Sequence, residues 1–242
     1  MIQHLLHINH VSKHFGGNVA VSDVSFSVED GQIFGLIGPN GAGKTTLFNC
    51  ITGFYPATSG DIVFGAKKIN TLRPDEVCKL GMARTWQRVK PLGSLSVLEN
   101  VMVGAFAMTN SAKEAEMIAQ EQLKTVGLVD YANKSAGALP IGLKKKLELA
   151  RVLATRPKML LLDEICGGLN HTETDTILEI IRSIRKKGAT VVFIEHDMKA
   201  VTSICDRIVV LNSGEKLAEG TPQEITNNPA VITAYLGGGH HA

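Results

Sequence analysis

The chain has 242 residues, with 25 Lys plus Arg set against 23 Asp plus Glu, and 44% of its residues are hydrophobic. So even a mixture of charges excludes the one-sided basic excess of a dedicated nucleic-acid binder, and no nucleic-acid partner is expected. No stretch reaches the roughly 18 apolar residues that cross a bilayer, and the scattered Cys50, Cys78, Cys166 and Cys205 make no C-x-x-C pair, which points to reduced cytosolic thiols.

In chain order, residues 32–37 read as a strand that runs into Gly38-Pro39-Asn40-Gly41-Ala42-Gly43-Lys44-Thr45, and residues 44–51 follow as a helix. The octapeptide fits G-x-x-x-x-G-K-[ST] in the strand-to-helix setting that this motif needs. Its glycines let backbone N–H groups and the helix N-terminus converge on phosphate oxygens. Lys44 adds a point charge and Thr45 a hydroxyl for Mg2+. The candidate phosphate cradle is therefore Gly38, Pro39, Asn40, Gly41, Ala42, Gly43, Lys44, Thr45 and the adjoining Thr46.

Residues 61–64 read as a further strand. From Arg84 to Ala154 the strand signal almost vanishes, and residues 96–105, 112–126 and 143–154 read as helices. This predicts a helical lobe, 85–154, inserted into an α/β core formed by 1–84 and 155–242. In its last helix Leu143, Leu147, Ala150 and Ala154 form one apolar stripe, with Lys144, Lys145 and Lys146 expected beside it as a solvated face.

Residues 159–162 and 190–194 read as strands whose Leu160–Leu162 and Val191–Ile194 runs are apolar without alternation, as strands buried on both faces must be, while residues 172–187 and 197–204 read as helices. Residues 207–211 and 215–218 flank Asn212-Ser213-Gly214, a hairpin signal. Strands alternating with helices specify a mostly parallel sheet covered on both faces. The terminal Gly237-Gly238-Gly239-His240-His241-Ala242 is set aside, with no metal role expected for its histidines.

The strand at 159–162 runs into two adjacent carboxylates, Asp163 and Glu164. Neighbours on a strand face opposite ways, so Asp163 is suited to the Mg2+ shell and Glu164 to a water aimed at a γ-phosphate. Gln87, in Arg84-Thr85-Trp86-Gln87, stands where the core passes into the lobe. His196, in Ile194-Glu195-His196-Asp197, follows a buried strand at the carboxyl edge where open α/β sheets bind ligands.

These residues in this order resemble the nucleotide-binding subunit of ABC transporters over nearly the whole chain. The resemblance implies an α/β P-loop NTPase fold with a mostly parallel sheet, an N-terminal antiparallel β part and an inserted helical lobe. It implies ATP hydrolysis with Mg2+, the metal held by Thr45, Gln87 and Asp163. By the same likeness Gln87 is the Q-loop glutamine, Glu164 the catalytic base, His196 the switch histidine and Lys44 the phosphate lysine. Phe15 would stack on adenine, the other reading being a core phenylalanine.

The family signature L-S-G-G-Q stands here as Leu139-Pro140-Ile141-Gly142-Leu143. In the family that serine bonds the γ-phosphate held by the opposite subunit, so Pro140 removes one donor from the partner's site. Ile165 replaces the usual proline after the base, and Asn170 the usual aspartate of the following loop.

Closer likeness is to the branched-chain amino-acid importer group, carried by Ile51-Thr52-Gly53-Phe54-Tyr55, Arg84-Thr85-Trp86-Gln87, Glu195-His196-Asp197-Met198 and Ala234-Tyr235-Leu236-Gly237. It implies a peripheral subunit at the cytoplasmic face of the inner membrane, working with two permease subunits and a second ATPase. The altered signature makes that second ATPase non-identical. A periplasmic solute-binding protein acts indirectly, and residues 88–103 would receive a cytoplasmic permease helix. The transported solute would be a branched-chain amino acid or a related small molecule. The alternatives are the ATPase of a lipid or lipopolysaccharide exporter and a soluble ABC-type ATPase not coupled to transport.

Overall fold

The computed structural model describes residues 4–87 and 89–236. Strands β1 (His4–Phe15) and β2 (Asn18–Glu29) pair antiparallel and bury Leu6, Ile8 and Val11 against Val21, Val24 and Phe26. After β3 (Ile33–Ile37) and helix α1 (Lys44–Ile51), strands β4 (Ser59–Phe64) and β5 (Lys67–Lys68) return to the first pair. The result is an antiparallel sheet in the order β2-β1-β4-β5.

Helix α2 (Pro74–Lys79) leads into β6 (Met82–Arg84). Three helices follow without an intervening strand: α3 (Val97–Ala105), α4 (Ala112–Val126) and α5 (Ile141–Leu153). Then come β7 (Met159–Asp163), α6 (His171–Lys186), β8 (Thr190–Ile194), α7 (Met198–Ile204), β9 (Arg207–Asn212) and β10 (Glu215–Gly220). Helices α8 (Pro222–Thr226) and α9 (Pro229–Leu236) complete the described chain.

The second sheet runs β10-β9-β3-β8-β7-β6, with every pair from β9 to β6 parallel and only β10 antiparallel to β9. Period-two alternation splits its side chains between two cores. Leu160, Leu162, Val191, Phe193, Ile208 and Val210 face the core that includes α3 to α7. Met159, Leu161, Val192, Ile194, Val209 and Leu211 face α1 and the antiparallel sheet. Burial on both faces explains why these strands carry no alternating polarity in the sequence. Truncating Phe193, fully buried, to Ala would cost about 3–5 kcal/mol of stability.

The helix starts follow local chemistry. Ser96 and Asn170 cap α3 and α6, each in a reciprocal capping box with a glutamate three residues on, Glu99 and Glu173. Helix α5 begins two residues earlier than its apolar stripe suggests, directly after Pro140, whose ψ of 161° keeps it outside the helix as the N-cap.

Candidate active site

The ends of four adjacent parallel strands, β3, β8, β7 and β6, deliver the polar groups to one edge of the sheet. From β3 the chain turns through residues 38–43 into α1. Gly43 caps that helix in the left-handed conformation at φ 95°, and a Cβ there would lie 2.5 Å from the carbonyl oxygen of Ala20. At Gly38 a Cβ would lie 2.1 Å from the carbonyl of Leu211, so neither position accepts a side chain. Lys44 is 5% exposed and folds back, donating from Nζ to the carbonyls of Gly38 at 2.8 Å and Pro39 at 3.0 Å. Burial pulls its ammonium below the ordinary lysine range, while Glu164 and Asp163 draw it back up.

A cleft of about 510 Å³ opens over this turn, lined by Asn40 through Thr46 and also by Gln87, Glu164 and His196. The Glu164 carboxylate is held at both oxygens. Gln87 Nε2 donates to Oε2 at 2.7 Å, and His196 Nε2 donates to Oε1. Burial pushes this carboxyl up, yet the two hydrogen bonds and the His196 and Lys44 charges outweigh it and hold the group below the usual glutamate range. It therefore stands ionised as an acceptor at neutral pH.

Asp163 and Glu164 do divide their directions, but not by strand alternation. Strand β7 ends at Asp163, and Glu164 adopts the left-handed region at φ 50°. That strained backbone swings its side chain over the P-loop cleft. Asp163 stays in the strand, 1% exposed, with Oδ2 accepting from Arg84 Nη2 at 2.8 Å. Burial holds its carboxyl above the usual aspartate range, the Arg84 guanidinium drawing it back only in part and the neighbouring Glu164 charge adding to the rise.

Its other oxygen, Oδ1, is buried without a hydrogen-bond partner among the described residues. Thr45, Gln87 and Asp163 line one second cleft of about 540 Å³. A hydroxyl, an amide carbonyl and an orphaned carboxylate oxygen make a hard-oxygen donor set of the kind Mg2+ takes. Among the described residues no cluster of three His, Cys, Asp or Glu side chains holds a metal unaided. One carboxylate shared with phosphate oxygens is the usual arrangement for Mg2+.

Family matches cover the chain in two pieces: the ABC transporter family over residues 21–167, and the branched-chain amino acid ATP-binding cassette transporter family over residues 215–241. The chain belongs to the ABC transporter family. It is 43% identical to the high-affinity branched-chain amino acid transport ATP-binding protein BraF of Pseudomonas aeruginosa, covering 98% of this chain and 99% of that one. Identity to the corresponding LivG protein of Escherichia coli is 42% over the same shares. The ADP conformation of MJ1267, an ATP-binding cassette of an ABC transporter, superimposes with a TM-score of 0.89 at 31% identity, covering 97% of this chain and 99% of that one.

The chain is thus an ABC-type ATPase, a nucleotide-binding subunit of the kind that works with separate membrane permeases. Among the described residues no helix is long and apolar enough to cross a membrane.

In this ABC cassette Phe15 ends β1 at 42% exposure, which removes the core-phenylalanine reading. Its ring meets Tyr55 edge-on at 5.3 Å, with Lys13 Nζ 4.9 Å from its centre, so it is braced on one side and open on another. The signature segment Leu139-Pro140-Ile141-Gly142-Leu143 forms the start of α5. Ile141 is exposed and Gly142 is buried, its Cα facing Glu173 so closely that a Cβ would sit 2.5 Å from Oε1. No side chain caps this helix. Ile165 is fully buried, and Asn170, at the usual aspartate position, serves as the cap of α6.

Sequence reasoning missed several residues that hold the site together. Arg84 bridges Asp163, Asn49 Oδ1 at 2.7 Å and Thr52 Oγ1 at 3.3 Å, and stacks on Trp86 at 4.5 Å. Lys145 was expected on a solvated face, but it is 3% exposed. Helix α5 is enclosed on most of its circumference, with Gly142, Lys145, Leu147, Glu148, Leu149 and Ala150 all buried, so the lysine run is not one face. Glu148, an acid set within Leu147-Glu148-Leu149-Ala150, was the available signal that a buried partner exists nearby. Arg88, part of the segment expected to receive a permease helix, lies outside the described residues, as does the 237–242 tail.

Proposed function

We propose that the chain hydrolyses ATP to drive uptake of branched-chain amino acids, or closely related solutes, through separate permease subunits. The observation that carries the chemistry is the Glu164 carboxylate, gripped by Gln87 and His196 over the P-loop cleft. The match over residues 215–241 and the BraF and LivG relatives support the substrate class.

The phosphates of ATP lie in the Gly38 to Thr46 turn, where backbone N–H groups and the α1 N-terminus meet their oxygens. Lys44 leaves its own loop carbonyls for the phosphates. Phe15 carries the adenine. Glu164 takes a proton from a water as that water's oxygen bonds to the γ-phosphorus, and the bond from γ-phosphorus to the β–γ bridging oxygen breaks, leaving ADP and phosphate. His196 and Gln87 keep the Glu164 carboxylate aimed, and Lys44 spreads the developing charge. Thr45, Asp163 and Gln87 would hold Mg2+, which would supply neutralisation of the phosphate charge.

Residues 85–154 act as a lobe hinged on the core at the Thr85–Gln87 stretch, and its rotation carries closure to the membrane. A small apolar groove lined by Thr52, Phe54, Val77, Met82, Val103 and Val152 supports the docking of a cytoplasmic permease helix beside Arg84. The second ATPase is a non-identical partner, because Pro140 deprives the opposing nucleotide of a hydroxyl donor. Such a subunit sits on the cytoplasmic face of the inner membrane, and a solute-binding protein acts through the permeases.

Purification of this chain from native membranes in mild detergent tests the reading. Recovery with two multi-span proteins and a second ATPase, whose turnover rises when leucine-loaded binding protein is added, is expected. Recovery free of membrane proteins would overturn the transport coupling.

A further inference from the structure

Lys145 and Glu148 lie one turn apart on α5 and are 3% and 2% exposed. Burying an ammonium and a carboxylate is costly unless each is well partnered. Lys145 reaches Glu164 directly and Glu148 reaches it through Trp86 and Gln87, while Glu148 Oε2 is buried without a hydrogen-bond partner among the described residues. Lys145 Nζ donates to the backbone carbonyl of Glu164 at 2.8 Å. Glu148 Oε1 accepts the backbone N–H of Trp86 at 2.7 Å, and the next residue, Gln87, donates to the Glu164 carboxylate.

Glu164 is thus tied to α5 at its backbone through Lys145 and at its side chain through Glu148, Trp86 and Gln87. The backbone tie falls on the residue whose φ of 50° is unfavourable for any side chain but is needed to turn the carboxylate over the cleft. Glu195, a further buried acid facing this region, is occupied separately by the Cys166 backbone N–H at 2.7 Å.

We propose that Lys145 and Glu148 are positioning residues that make α5, the helix opened by the signature segment, set the aim of this chain's own Glu164. The inference rests on the reading of Glu164 as the base. A displacement of α5 withdraws the Lys145 donor from the Glu164 carbonyl and moves Gln87 off the carboxylate together. Engagement of the signature with the partner's nucleotide therefore reports to the hydrolytic site of the same chain, with no contact between the two nucleotides.

Lys145→Met keeps the length of the stem and removes the donor. In the full chain, assayed with Mg-ATP in its assembled complex, kcat should fall about tenfold to a hundredfold, as misplacement of a reacting group does. KM and the affinity for a fluorescent ATP analogue should stay at native values. Added to Glu164→Gln, Lys145→Met should produce no further loss, because both changes act on one group.

Native kcat in Lys145→Met overturns the proposal. So does a loss of kcat accompanied by an equal loss of nucleotide affinity or by a melted fold, since that is a packing role. If Glu164→Gln itself keeps native turnover, the base assignment and this inference fall together. If Glu164→Gln is inactive while Lys145→Met is native, the inference alone fails.

Discussion

The P-loop and the signature segment are both glycine-bearing turns that open a helix, and they are furnished in opposite ways. Helix α1 begins at a left-handed Gly43 and carries Lys44, Thr45 and Thr46 in its first turn. Helix α5 begins at Pro140, has no side-chain cap, and presents Ile141, Gly142 and Leu143. The first turn of α1 therefore offers charge, hydroxyls and backbone donors to a phosphate, whereas that of α5 offers backbone donors and a helix dipole alone. The contrast teaches that, on the function proposed above, this chain would hold and cleave its own ATP while lending its partner a weakened contact.

The comparison breaks most sharply at Glu164. Glu164→Gln should lower turnover by about 10²- to 10⁴-fold, the range of general base catalysis, with ATP binding retained. Steady-state kinetics beside an equilibrium binding isotherm would check it.

Arg84→Met should destabilise the fold by about 3–5 kcal/mol in urea unfolding, because it strands the buried Asp163 carboxylate without its partner. The smallest effect is expected on the other side of the contrast. Pro140→Ser should add a charge-assisted hydrogen bond of about 1.5–3 kcal/mol to the partner's nucleotide. Turnover measured in a complex whose own Glu164 site is blocked should then rise, and an unchanged rate would remove the deficit assigned to Pro140.

What was legible in the sequence divides along the same line. The P-loop could be read because its chemistry is local: glycines, a lysine and a hydroxyl within nine residues, between a strand and a helix. The paired carboxylates, Gln87 and His196 could be placed because parallel strands deliver their carboxyl ends to one edge. The reason for the split between Asp163 and Glu164 was not legible, since a left-handed φ at a glutamate leaves no mark in residue type. Lys145 was misread because three consecutive lysines look solvated, and only packing around most of α5 buries the middle one. Arg84 was visible within a motif, yet its role depends on Asp163, distant in sequence and adjacent only through the pairing of β6 with β7.

The asymmetry itself is tested most directly by the oligomeric state of the isolated Glu164→Gln chain, measured by light scattering with saturating Mg-ATP, when hydrolysis no longer empties the site. A site complete for its own nucleotide but poor in what it lends predicts a nucleotide-bound monomer that dimerises only when the second ATPase is added. A stable ATP-bound homodimer, with cooperative ATP hydrolysis by the unmodified chain alone, would contradict it.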